Sequence, residues 1–196
     1  MDQQPIVLRS YKKSFGSAKV KIVSGLINDL ENLSGSPTGY KIYTSEIQRC
    51  LSVGLLLAAV SVGTSLLELF IRDLSVVYKI VSRHRGNLKL IGKVARELEG
   101  DKRAGFNAML RDLECAVIAP NDVEKLRSFY SKTRIPLAHG LVRRLDRTPA
   151  ADILEDLLGY RPSIEERLED EAIGEVRFVV RIIKKYRPWL VKRMRS

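Results

Sequence analysis

The sequence predicts an all-α protein: a helical bundle of about four or five main helices with additional terminal helices. Three observations carry that prediction. Apolar residues recur at three- and four-residue steps, as at Phe106, Met109, Leu110, Leu113, Val117 and Ile118, the spacing that lines one face of a helix. Residues with capping chemistry precede several of these runs, as in Ser45-Glu-Ile-Gln48 and Asn121-Asp-Val-Glu124. No region is rich in strand-forming alternation, and no internal repeat is present.

Taken in order, residues 1–20 are weakly patterned and read as an arm. Residues 21–33 form a short helix through Ile22, Leu26, Ile27, Leu30 and Leu33, and Ser34-Gly-Ser-Pro37-Thr-Gly39 is a turn by composition. A long helix starts at the Ser45–Gln48 box and runs to about Ser82, with a break expected near Gly63 because so long a straight helix is unusual. Arg83-His84-Arg85-Gly86 ends it with the basic residues and glycine that suit a helix C-terminus. Residues 87–99 and 104–118 form the next two helices, Pro120 breaks the chain, and a further helix follows from Asn121. The domain organisation that results is an arm at 1–40, a helical domain at 41–148 and a C-terminal helical extension at 149–196, docked on the bundle.

That extension changes sign along its length. Residues 152–175 hold nine acidic and two basic side chains, whereas 177–196 hold eight basic and none acidic. Pro162-Ser-Ile-Glu-Glu166 is a helix start, and Arg177, Arg181, Lys184 and Lys185 alternate with Phe178, Val179, Ile182 and Ile183 as on an amphipathic basic helix interrupted by Pro188.

At 196 residues the chain is long enough to bury a core without a disulfide or metal staple. Cys50 and Cys115 sit far apart among apolar neighbours and read as reduced core thiols of a cytoplasmic protein, with no Cys/His spacing that would bind metal. Residues 50–67 form an eighteen-residue run without a charge. A helix of that length would span roughly 27 Å, near the lower limit for a bilayer. The charged Glu68, Arg72 and Asp73 follow at once, so the run reads as a central buried helix and no stable membrane insertion is expected.

The net charge of +11 favours a polyanion, with nucleic acid first among partners. No phosphate-binding glycine loop, zinc-protease motif, serine-hydrolase elbow or zinc finger is present, and no cofactor or metal is called for. Only two histidines exist, so few side chains work near neutral pH. His84 reads as a basic helix-end residue. His139 follows Arg134 by five positions in Arg134-Ile-Pro-Leu-Ala-His139-Gly140. On an ideal helix the two would point about 140° apart. Pro136 kinks the intervening turn and changes their relative direction. A guanidinium clamps a phosphate with two N–H groups, and an imidazole moves protons to and from a ribose hydroxyl or a leaving oxygen.

The Arg134–Gly140 segment, late in a helical chain, resembles the HEPN superfamily (higher eukaryotes and prokaryotes nucleotide-binding). The run Ala58-Ala-Val-Ser-Val-Gly-Thr-Ser-Leu-Leu-Glu68-Leu-Phe-Ile-Arg72 also resembles that family's long early helix. The similarity covers roughly residues 41–148. It implies a bundle that commonly forms homodimers, with arginine and histidine near the two-fold interface. For many members it implies metal-independent endoribonuclease activity in toxin–antitoxin, phage-defence or RNA-processing systems. Arg134 and His139 would then be the catalytic pair, with Glu68 as a supporting residue whose alternative role is an intrahelical pair with Arg72. Arg143, Arg144, Arg181, Lys184 and Lys185 would contact RNA. An antitoxin or regulatory protein would be a further partner. The family often places Asn, Asp or His directly after the arginine, where this chain has Ile135. The other reading of the same residues is a helical module that binds nucleic acid or protein without cleavage.

Overall fold

The computed structural model describes residues 6–33, 40–101, 105–134 and 164–195, and their side chains from Lys19 to Thr133 and from Glu171 onward. Among the described residues the protein is all-α. The helices are α1 (Ile6–Leu33), α2 (Tyr40–Val53), α3 (Leu56–Arg83), α4 (Ile91–Gly100), α5 (Phe106–Leu113), α6 (Pro120–Phe129) and α7 (Ile164–Arg195). A 3₁₀ turn, Leu88–Leu90, leads into α4, and a π turn, Tyr130–Arg134, continues α6. The chain divides into two compact units, 1–64 with 131–180 and 65–130 with 181–196, which cut across the sequence blocks 1–40, 41–148 and 149–196.

In the first unit α1 and α2 pack together. Val20, Val23, Leu26, Leu30 and Leu33 form the buried stripe of α1, and Tyr40, Thr44, Ile47, Cys50 and Leu51 that of α2. Steps of three and four residues keep each stripe on one face. Gln48 Nε2 donates to the Ile27 carbonyl at 3.0 Å, which joins the middle of α2 to the last turns of α1 and fixes the pair as antiparallel. Two expectations change here. The helix foreseen at 21–33 begins at Ile6, and α2 begins at Tyr40, so Ser45 lies inside the helix and Gln48 serves the helix–helix contact instead of a cap.

The uncharged run of 50–67 is not one helix. It breaks at Gly54, whose φ of +81° suits glycine, and Leu55 N–H closes the end of α2 onto the Cys50 carbonyl at 2.9 Å. Gly63, where the break was expected, lies within α3, and a Cβ there would stand 3.9 Å from Val179 Cγ2 of α7. Ala172, Ile173, Val176, Val179 and Val180 are the buried positions of this part of α7. Among the described residues no helix is long and apolar enough to cross a membrane.

The second unit is built on the later turns of α3. Leu66, Leu67, Phe70, Ile71, Leu74 and Ile80 are almost wholly buried, on more than one side of the helix. Val76 and Ile80 pack with Val94 and Leu98 of α4. Each such side chain contributes about 1.5–3 kcal/mol on burial. Helix α5 stops at Leu113, earlier than the foreseen Ile118, because Cys115 adopts φ +62° and Cys115 N–H bonds to the Ile118 carbonyl. Pro120 starts α6 instead of breaking the chain. It occupies the first helical position, where its missing N–H costs nothing. Pro188 also fails to end α7. It lies on the exposed side, while Tyr186 and Leu190 are buried on either side of it in sequence.

Candidate nucleic-acid site

The sequence singles out the end of α6. That helix is held by its first turn. Asp122, near the α6 N-terminus, is 9% exposed and accepts 2.6 Å hydrogen bonds from the Tyr186 hydroxyl and from Lys185 Nζ, both on α7. The Tyr186 hydroxyl in turn accepts from Ala119 N–H at 3.1 Å, so it acts as donor and acceptor at once. Burial pushes the Asp122 carboxyl up, but the hydrogen bonds from Lys185 and Tyr186 and the charges of Lys185 and Lys125 outweigh it, and its pKa falls below the ordinary value. Burial, followed by the hydrogen bond to Asp122, raises the Tyr186 phenol above its ordinary value. The hydrogen bond to Asp122 raises Lys185.

This arrangement corrects one expectation. Asn121–Glu124 is not a capping box, since α6 already begins at Pro120 with Ala119 as its cap, and Asp122 serves α7. It also changes the role of Lys185. Although exposed, its ammonium is committed to Asp122.

At the other end, α6 widens into the π turn. Tyr130 stacks on Phe106 with ring centroids 4.4 Å apart and planes 11° from parallel. Thr133, buried to 1% exposure, donates its hydroxyl to Glu175 Oε1 of α7 at 2.8 Å. Arg134 is the last residue of this turn. The π turn was not legible in the sequence, because no residue type marks it. It is a feature that often accompanies functional positions in helices.

The side chain of Arg134 lies outside the described residues, as do Pro136, His139, Arg143 and Arg144. Glu68 is half-buried on α3 and falls in a different compact unit from Arg134. Arg72, the intrahelical partner considered for Glu68, bonds Glu99 Oε1 at 3.1 Å. Arg181 and Lys184 are exposed on α7. His84 lines a cleft of about 200 Å³ with Lys79, Arg83, Glu97 and Asp101, so charges of both signs face it. Both cysteines are free thiols, but only Cys50 is buried; Cys115 is exposed in the turn after α5, which corrects its placement in the core. No group of three or more His, Cys, Asp or Glu side chains with metal-binding geometry occurs among the described residues.

Comparison with protein-family models, with curated proteins and with solved structures gave no match.

Proposed function

We propose that this protein is a metal-independent endoribonuclease of the HEPN type, acting as a cytoplasmic homodimer in a toxin or phage-defence role. The observation that carries the reading is the Arg134–four residues–His139 motif, which begins where α6 ends in a widened turn. In this reaction a ribose 2′-hydroxyl attacks the neighbouring phosphorus and the bond to the 5′ oxygen breaks. His139 takes the proton from the attacking hydroxyl or returns one to the leaving oxygen, and a second copy from the partner subunit would divide these two tasks. Arg134 places two N–H groups on the phosphate oxygens as negative charge builds. The products are a 2′,3′-cyclic phosphate and a 5′-hydroxyl. An antitoxin or regulatory protein would restrain such activity. Glu68 is a supporting residue in this scheme.

The test is cleavage of single-stranded RNA by the full chain in EDTA. Arg134→Ala and His139→Ala should each lower the rate by about 100-fold or more while the melting temperature stays put. Cleavage retained by both variants overturns the assignment. A second reading, binding without cleavage, draws on the exposed basic residues of α7 and predicts salt-dependent binding with the RNA left intact.

A further inference from the structure

We infer that the exposed basic stripe of α7, Arg181, Lys184, Lys192 and Arg195 with Trp189 at its edge, is a binding surface for single-stranded RNA. This deepens the ribonuclease reading, since it assigns the surface that would hold the substrate, but it is tested by binding and stands or falls separately.

The geometry comes from the helix itself. At 3.6 residues per turn each residue advances about 100° around the axis. Measured from Arg181, Lys184 then stands at about −60°, Lys192 at about +20° and Arg195 at about −40°. All four are exposed. They form one stripe roughly 21 Å long at 1.5 Å rise per residue. The opposite face carries Ile182, Ile183, Tyr186 and Leu190, each at most 7% exposed, so the stripe cannot turn inward without unburying them. The Tyr186–Asp122 hydrogen bond and the Lys185–Asp122 ion pair fix that rotation further.

Charge decides the class of partner. Residues 177–196 contain eight basic side chains and no acidic one, in a chain that already carries +11. Such a surface attracts a polyanion and releases its counterions. Trp189, half-buried at about +80°, borders the stripe and presents part of an indole ring beside it. A basic track beside an aromatic ring is what unpaired bases need: phosphates on the cations and a base stacked on the ring. A duplex keeps its bases stacked inside and gains nothing from Trp189. The sequence expectation had placed Lys185 in this contact. Its pairing with Asp122 makes it a structural residue, and the stripe continues instead through Lys192 and Arg195.

The test uses the full chain carrying His139→Ala, so that the RNA stays intact, and a fluorescein-labelled single-stranded RNA of mixed sequence followed by anisotropy. Replacing Arg181, Lys184, Lys192 and Arg195 with Gln should weaken binding at least tenfold. The slope of log affinity against log salt should fall by about 0.7 per lost contact, up to about 2.8 in all. Two double variants, Arg181/Lys184 and Lys192/Arg195, should each show part of the loss, which keeps the test open if the quadruple variant folds poorly. Trp189→Ala should weaken single-stranded RNA more than duplex RNA. Unchanged affinity and slope in the folded double variants overturn the surface. Equal losses for single-stranded RNA, duplex RNA and anionic phosphatidylserine vesicles overturn the assignment to single strands. A chain that binds through this stripe yet never cleaves retires the nuclease reading alone. A quadruple variant that cleaves with unchanged KM retires the stripe alone.

Discussion

Asp122→Ala should destabilise the protein by about 2–3 kcal/mol at neutral pH. The carboxylate is nearly buried and receives the hydroxyl of Tyr186, itself 7% exposed, at 2.6 Å. A hydrogen bond to a charged acceptor contributes roughly 1.5–3 kcal/mol, and truncation leaves the Tyr186 hydroxyl with only its contact to Ala119 N–H. The Lys185 ammonium is exposed, so its share is left out of that figure. For a chain of this length the loss corresponds to a fall in melting temperature of about 4–12 °C. Asp122→Asn keeps an acceptor and should lose about half as much. Tyr186→Phe should be non-additive with Asp122→Ala, by about 0.5–3 kcal/mol in a double-mutant cycle. The pH dependence follows from the two shifts. The Asp122 pKa is lowered on folding, so its contribution is complete above the ordinary value of 3.8 and disappears as pH falls through the folded value. The Tyr186 pKa is raised, so its contribution is complete below the ordinary value of 10.0 and disappears as pH rises through the folded value. The gap between wild type and Asp122→Ala should therefore be flat between these limits and narrow outside them. Urea denaturation read by circular dichroism at several pH values measures it. A gap below about 0.5 kcal/mol at pH 7, or additive single variants, would refute the reasoning.

Two other outcomes are expected. Thr133→Val keeps the buried shape but removes the donor to Glu175, so it should cost about 1–2 kcal/mol in the same assay, and adding Glu175→Ala to it should cost much less than the two singly; full additivity would show that the pair is not coupled. Iodoacetamide at neutral pH should alkylate exposed Cys115 quickly and Cys50 only on unfolding, because burial and then the charge of Glu46 raise the Cys50 thiol. Mass spectrometry of the two peptides reads the rates, and equal labelling of both in the folded protein would contradict this.

Several elements were legible because their cause is local. The α5 stripe of Phe106, Met109, Leu110 and Leu113 needs only helical spacing, and all four are buried. The basic and apolar faces of α7 were legible for the same reason. Element ends were less so. Gly54 and Gly63 look alike in sequence, yet only Gly54 takes a positive φ, while Gly63 stays helical beside Val179. Capping patterns at Ser45 and Asn121 were present but unused, since Gln48 and Asp122 found stronger partners on other helices.

The sequence by itself determined the helical class, the apolar stripes, the one-signed charge of residues 177–196 and the Arg134–His139 spacing. These depend on residue type and periodicity, which a chain carries whether or not it is folded. Tertiary structure alone decided that Lys185 belongs to Asp122 instead of a ligand, that Thr133 is tied to Glu175 one residue before Arg134, and that Cys115 faces outward. The first two join side chains dozens of positions apart, and the third turns on where the chain bends after Leu113. Distance and burial set each of them, and neither is a property of a residue read alone.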